Sequence, residues 1–173
     1  LELSPAACSL ADRTAAANGL TDRLTTLPCD LRDRRQLPPA GHFDLAVSNP
    51  PYFPAGGGKT AAGSRGIHRA ELACTMEQLC AAAAYLLRSG GQFCLVYRTE
   101  RLAELMETLR RHRLEPKVLR FVQKNAASAP SLLLMACRKD GGTGLTVQPP
   151  LLLQNDDGTE TPELRRIYFK EKG

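Results

Sequence analysis

The stretch Phe43-Asp44-Leu45-Ala46-Val47-Ser48-Asn49-Pro50-Pro51-Tyr52-Phe53 decides the fold and the chemistry that we expect of this chain. Its first part, residues 43–47, is apolar and follows a Pro/Gly turn, which predicts a buried strand. The two consecutive prolines fix φ twice and push Asn49 into an extended conformation. The chain therefore leaves the strand stiffly, so the Asn49 side chain and the Pro50 carbonyl can face the same place.

These two groups suit a flat molecule with an exocyclic amine. The side-chain carbonyl of Asn49 and the backbone carbonyl of Pro50 are two acceptors for the two protons of a planar NH2 group. Tyr52 adds an aromatic face on which such a group can stack. A Pro-rich turn in which Asn49 closes an Asx turn is the structural alternative. Because ligand sites of open α/β sheets lie at the carboxyl ends of strands, we expect a functional site for a molecule such as adenine.

Composition indicates one domain with a core of ordinary size. The chain has 173 residues, of which 43% are hydrophobic and 24% charged. It contains neither a long apolar run that predicts a transmembrane helix nor the pattern of a signal peptide. The six cysteines form no CxxC pair and mostly lie in apolar runs, which predicts reduced thiols, no zinc and a cytoplasmic protein. The net charge of +5 favours a polyanionic partner.

Hydrophobic periodicity predicts an α/β fold. A helix opens at Ser4-Pro5 and ends near Asn18-Gly19, and strands are expected over 23–29, 43–47, 92–97, 117–122 and 131–138. Further helices are expected over 71–88, from about residue 99, and from Thr161-Pro162. The last two strands follow one another without a helix, which predicts an antiparallel hairpin at a sheet edge. We therefore expect a mostly parallel sheet closed by this hairpin, with residues 1–140 as the catalytic domain and 141–173 as an extension that packs on it.

Two carboxylates lie where α/β folds bind nucleotides. Glu2 precedes the first helix, at the position from which such folds hold ribose hydroxyls. Asp30, followed by Leu31, ends the strand over 23–29, and its carboxylate could accept a hydrogen bond from an adenine amine. The alternatives are an exposed terminal charge for Glu2 and an Asx turn for Asp30.

A glycine-rich segment with basic residues follows the Asn-Pro-Pro-Tyr motif. Residues 54–66 do not match the GxxxxGK[ST] pattern of a phosphate-binding loop, so we expect a mobile lid over the site instead. Lys59, Arg65, His68 and Arg69 form a positive cluster that could hold nucleic-acid phosphates. The alternative for this cluster is the solvated start of a helix.

With Asn49-Pro50-Pro51-Tyr52 at the end of a central strand, the element order resembles the Rossmann-like S-adenosylmethionine-dependent methyltransferases. Their NPPY class methylates amines conjugated to a planar system: adenine N6, guanine N2 or a glutamine amide. Over nearly the whole chain, the sequence is most similar to the tRNA adenine-N6-methyltransferase family that acts beside the anticodon of a valine tRNA. The resemblance is carried by Glu2-Leu3-Ser4-Pro5, the motif and its strand, the basic segment, and a tail with Pro150-Leu151, Glu160-Thr161-Pro162-Glu163 and Ile167-Tyr168.

The resemblance implies a role for each candidate residue. Asn49, Pro50, Pro51 and Tyr52 would form the catalytic motif, with Asn49 also near the cofactor. Glu2 would bind the ribose of S-adenosylmethionine, and Asp30 with the Leu31 backbone would bind its adenine. The partner would be a tRNA, at its anticodon loop, without metal or membrane. The substrate would be held by Tyr52, Phe53, Lys59, Arg65, His68 and Arg69.

One departure from the family is large. Its glycine-rich cofactor loop follows the first strand and is not in this sequence, so we expect a fold that lacks the first strand and helix. The isolated chain should therefore bind the cofactor poorly and be inactive. Three other functions remain open: an NPPY enzyme that methylates a release-factor glutamine, a methyltransferase acting on another nucleic acid, and a non-catalytic fragment or RNA-binding module.

Overall fold

The computed structural model describes residues 1–50 and 74–169. Within them, five strands form one sheet in the order β1-β2-β4-β3-β5. The strands are β1 (Phe43–Ser48), β2 (Leu87–Arg98), β3 (Leu114–Gln123), β4 (Leu132–Lys139) and β5 (Thr146–Leu152). The helices are α1 (Pro5–Ala17), α2 (Met76–Leu86), α3 (Leu102–Arg111), which follows a 3-10 turn at Thr99–Arg101, and α4 (Pro162–Ile167).

The sheet is mixed. β1 pairs with β2 and β3 pairs with β5 in parallel, whereas β4 pairs antiparallel with both β2 and β3. The predicted α/β class and the antiparallel pairing of the last two predicted strands are confirmed. Four of the five described strands run in the same direction and only β4 is antiparallel, so the sheet is mostly parallel, as predicted. The hairpin of β3 and β4, however, does not lie at the edge of this sheet. β5 takes the edge because it buries Leu151 and completes the hydrogen bonding of β3.

The core lies on the sheet face that α2 and α3 cover. Alternate residues of β2, among them Phe93, Leu95 and Tyr97, point into it. Leu105 and Leu109, one turn apart on α3, are fully buried against them. This packing fixes β2 and β4 rigidly and therefore the positions of the strands beside them.

Side-chain caps define where the helices begin. The Ser4 hydroxyl accepts a hydrogen bond from the Ala7 N–H, and Pro5 occupies the first turn, as predicted. Thr75 and Gln78 form a reciprocal capping box at the start of α2. At the other end, α2 stops at Leu86 rather than at the predicted residue 88, since β2 begins at once.

Two predicted strands differ in the structure. The strand expected over 23–29 is reduced to one parallel bridge between Glu2 and Pro28. Within the described residues, no other segment pairs with it along its length. β1 forms as expected but is not buried. Phe43, Leu45 and Val47 share one face and are 39%, 52% and 72% exposed, since β1 is an edge strand and no described element covers that face. Only Ala46, on the opposite face, packs against the core.

Candidate active site

Asn49 and Pro50 follow the carboxyl end of β1 directly. The last residue of β1, Ser48, lies opposite Leu95, while β2 continues to Arg98. β1 therefore ends before its neighbour β2 does. We call the resulting recess at the carboxyl end of β1, where the chain leaves the sheet, the step. Asn49 is exposed and Pro50 is half-buried at this step. This is the carboxyl edge at which α/β sheets bind ligands, as the sequence predicted for these two residues.

Glu2 and Asp30 are brought to one end of a small parallel pair. The Glu2 N–H donates to the Leu27 carbonyl at 3.1 Å, and the Cys29 N–H donates to the Glu2 carbonyl at 2.9 Å. Glu2 Oε1 also accepts from the Ser4 N–H at 2.7 Å, so the carboxylate is held at the entrance to α1. Because both extended segments run the same way, Glu2 and Asp30 both lie at the carboxyl end of this pair.

Arg32 holds the Asp30 carboxylate. The Arg32 N–H and Nε donate to Oδ1, both at 2.9 Å, and Nη2 donates to Oδ2 at 2.7 Å. The backbone bond closes the Asx turn that was the structural alternative, and the guanidinium adds an ion pair that the sequence analysis missed. These hydrogen bonds hold the pKa of Asp30 below its ordinary value. An adenine amine would therefore meet an ionised acceptor that it must share with Arg32.

Leu31 ties this loop to the main sheet domain. Its side chain packs against the core that α2 and α3 cover. It also lines a groove of about 630 Å³ between the 31–41 segment and α2, together with Arg34, Gln78 and Tyr85. The Arg34 guanidinium lies 4.2 Å from the centre of the Tyr85 ring. No sequence pattern indicated this groove, because its two walls are distant in the chain and meet only in the folded structure.

The described structure thus contains two parts of the predicted site: Asn49-Pro50 at β1, and Glu2 with Asp30 and Leu31. No strand pairing joins residues 27–29 to β1 within the described ranges. The other predicted site residues lie outside the described residues and remain predictions. They are Pro51, Tyr52, Phe53, Lys59, Arg65, His68 and Arg69.

The cysteines have no feature of a reactive or metal-binding site in the described chain. All six are free thiols. Burial raises the pKa of Cys80 to about 12 and also raises that of Cys137, so neither is a thiolate at neutral pH. Across residues 1–50 and 74–169, no cluster of His, Cys, Asp and Glu is arranged to hold a metal ion. The same ranges contain no helix long and apolar enough to cross a membrane.

Solved structures share this architecture. A predicted O-methyltransferase from Agrobacterium tumefaciens superimposes with a TM-score of 0.76 at 19% identity, over 96% of this chain and 74% of that one. A geranyl diphosphate methyltransferase in complex with SAM gives a TM-score of 0.51 at 13% identity, over 80% of this chain and 66% of that one. The chain has the fold of an S-adenosylmethionine-dependent methyltransferase.

Sequence comparison finds relatives that are named for a single methylation reaction. The protein named tRNA1(Val) (adenine(37)-N6)-methyltransferase of Porphyromonas gingivalis is 28% identical over 172 residues, which cover 96% of this chain. This chain spans about two thirds, 67%, of that relative's length. No protein-family model matches the chain. The predicted resemblance, the fold and the cofactor class expected of it are therefore confirmed.

Proposed function

We propose that this chain is the catalytic part of an S-adenosylmethionine-dependent N-methyltransferase whose target is the N6 amine of an adenine in tRNA. The observation that carries the proposal is the position of Asn49-Pro50, at the carboxyl end of β1 in a methyltransferase fold. The name of the Porphyromonas gingivalis relative supports adenine N6 as the target and tRNA as the substrate.

The residues present fit the cofactor. The Glu2 carboxylate, fixed by Ser4, suits the paired hydroxyls of a ribose, because each carboxylate oxygen accepts one O–H. Asp30 is kept ionised by Arg32 and can accept a hydrogen bond from the cofactor's adenine amine, next to the Leu31 backbone. When bound, S-adenosylmethionine supplies an electrophilic methyl group on its sulfonium.

The role of the motif is to hold and activate the target amine. The Asn49 side-chain carbonyl and the Pro50 backbone carbonyl accept hydrogen bonds from its two N–H groups. These hydrogen bonds would draw the nitrogen from planar toward tetrahedral geometry and leave its lone pair available to the methyl group that the cofactor would supply. As the new N–C bond formed, the bond between that methyl carbon and the sulfonium sulfur would break, and the sulfur would keep its electron pair. One amine proton then leaves to solvent. No group of unusual pKa is needed, because the chain contributes position and electrostatics.

An unpaired adenine is the natural form of this substrate. The amine must reach the step beside β1, so the base has to leave any stack, which costs least in a single-stranded loop. The anticodon loop of a tRNA meets this requirement, and the net charge of +5 favours a polyanion over a protein substrate.

The test is methyl transfer from labelled S-adenosylmethionine by the protein in its full natural length, with total tRNA and total cell protein as parallel substrates. We expect label in tRNA, recovered as N6-methyladenosine after nuclease digestion. Label in protein glutamine instead would replace the proposed substrate with a protein one. No transfer to either substrate, from protein that binds the cofactor, would reject the tRNA proposal.

A further inference from the structure

The last turn of α4 exposes a basic and aromatic surface that the proposed chemistry does not use. We call Arg165, Arg166, Ile167, Tyr168 and Phe169 the C-terminal patch. Ile167, Tyr168 and Phe169 are 48%, 65% and 93% exposed. Arg165 and Arg166 are exposed as well, and neither forms an ion pair with a carboxylate of the described residues. Single exposed apolar residues are ordinary, but three in succession beside two exposed guanidinium groups mark a binding surface.

The strand directions place this patch and Asn49 at the same end of the strands, although β1 and β5 are the two outer strands of the sheet. β5 runs parallel to β3, and two antiparallel pairings through β4 return the direction to that of β2 and β1. The carboxyl ends of β1 and β5 therefore lie at the same end of the sheet. α4 starts there, because the Thr161 N–H donates to the Leu153 carbonyl at 3.2 Å and the Thr161 hydroxyl donates to the Leu152 carbonyl at 2.7 Å.

A groove crosses the open sheet face from the end of β1 to β3 and β5, and α4 contacts one of its lining residues, Arg120. Arg120 and Ser48 line the same groove, which has a volume of about 340 Å³. Glu163, in the first turn of α4, accepts from both Nη atoms of Arg120 at 2.7 Å. The ion pair thereby attaches α4 to Arg120, and the same groove is lined by Ser48, the residue before Asn49.

We propose that the C-terminal patch binds a single-stranded segment of the RNA substrate while the target adenine lies at Asn49. This rests on the proposed function only in taking RNA as the substrate. Arg165 and Arg166 would bind the negatively charged phosphates, and the rings of Tyr168 and Phe169 would stack on unpaired bases. Surfaces that bind single-stranded nucleic acid combine these two features, because every base has a face that stacks on an aromatic ring. The preference is for single strands, since bases within a duplex are not free to stack on protein.

The test measures the affinity of the full-length protein for fluorescently labelled oligo(A) RNA at several salt concentrations, with a duplex RNA of equal length for comparison. Arg165→Ala/Arg166→Ala should weaken oligo(A) binding and reduce the slope of log Kd against log salt by about 1.4, or about 0.7 for each phosphate contact. Phe169→Ala should weaken binding by at least about fivefold and leave the slope unchanged.

The matched control removes two positive charges at the other end of the sheet, where β3 begins and β4 ends. Lys117 Nζ donates to the Gly142 carbonyl and Arg138 Nη1 to the Gly90 carbonyl, both at 3.0 Å. Lys117→Ala/Arg138→Ala should leave the affinity and the slope nearly unchanged. An equal loss in this control would show that net charge, and not the patch, binds RNA, and would overturn the proposal.

Two further outcomes overturn the proposal. The first is unchanged oligo(A) binding in both patch variants. The second is a lower thermal midpoint for Phe169→Ala with unchanged RNA affinity for the arginine variant, which would mean that the patch packs against protein. Failure of the proposed function is a separate result, because it shows as absent methyl transfer to tRNA by the unsubstituted protein, whereas the patch is judged from RNA binding alone.

Discussion

At the scale of single residues, the candidate site consists of small polar groups held by short-range contacts. Asn49 is positioned by the end of β1 and by the restriction that Pro50 imposes on the residue before it. Glu2 is held by Ser4, and Asp30 is held by Arg32. The sequence identified all three polar residues from their positions after strands, but not Arg32, whose role depends on the geometry of the turn.

Asn49→Ala in the full-length protein should lower the rate of methyl transfer at least about a hundredfold, because it removes one of two preorganised acceptors for the amine protons. The affinity for S-adenosylmethionine should change little. Single-turnover kinetics and cofactor titration measure the two effects separately. Asn18→Ala makes the same chemical change at the end of α1, where Asn18 donates to the Thr14 carbonyl, and should retain the rate. An unchanged rate in Asn49→Ala would remove this residue from the mechanism.

Arg32→Ala should raise the pKa of Asp30, because the hydrogen bonds from Arg32 are the main cause of its lowered pKa. Carbon-13 NMR of the carboxyl groups as a function of pH measures this. Asp33 is the internal control: Arg35 lowers its pKa to about 2, and that pKa should stay low in Arg32→Ala. An unshifted Asp30 would show that another group determines its pKa.

At the scale of elements, local sequence signals set the helix starts, and pairing partners decided which strands formed. Ser4-Pro5 and Thr161-Pro162 cap α1 and α4, as predicted. The segment over 23–29 has the composition of a strand, yet it forms one bridge because a strand needs a neighbour over its whole length. Helices satisfy their own hydrogen bonds and are therefore easier to predict from sequence than strands.

Thr161→Ala should lower the free energy of unfolding by about 1–3 kcal/mol. The substitution removes the cap to the Leu164 N–H and leaves the Leu152 carbonyl without its hydroxyl donor in a buried place. Urea denaturation measures the loss. Thr14→Ala, a mid-helix change at an exposed position of α1, should change stability by less than about 0.5 kcal/mol. Equal effects of the two substitutions would contradict the capping argument.

At the scale of the whole molecule, one ion pair connects the C-terminal extension to the sheet. Arg120 on β3 forms a two-pronged pair with Glu163 on α4, and its Nε donates to the Pro149 carbonyl on β5 at 2.9 Å. These bonds lower the pKa of Glu163. The pair therefore joins residues 141–169 to the domain that carries Asn49, although the proposed division at residue 140 remains a prediction.

A double-mutant cycle of Arg120→Ala and Glu163→Ala should give a coupling free energy of about 1 kcal/mol, because Glu163 is partly solvated. Since the pKa of Glu163 is lowered on folding, this contribution is present above the unfolded value of about 4.3 and is lost as pH falls through the folded value. Urea unfolding at neutral and acidic pH measures both effects. A coupling near zero at pH 7, or one that does not fall as the pH is lowered, would contradict the assignment.

The sequence by itself determined the α/β class, the starts of α1 and α4, the order of the elements from β1 to β4 and the placement of Asn49-Pro50 after a strand. These features depend on residues close together in the chain: periodicity, caps and the stiffness of two prolines. Only the tertiary structure decided that β4 lies inside the sheet with β5 at its edge, that β1 is exposed, that Arg32 holds Asp30, and that Arg120 joins α4 to the sheet. Strand order, burial and the fit of an ion pair depend on which distant segments meet. A local sequence pattern indicates which groups can form a strand, a cap or an ion pair. Which distant groups become their partners depends on tertiary packing.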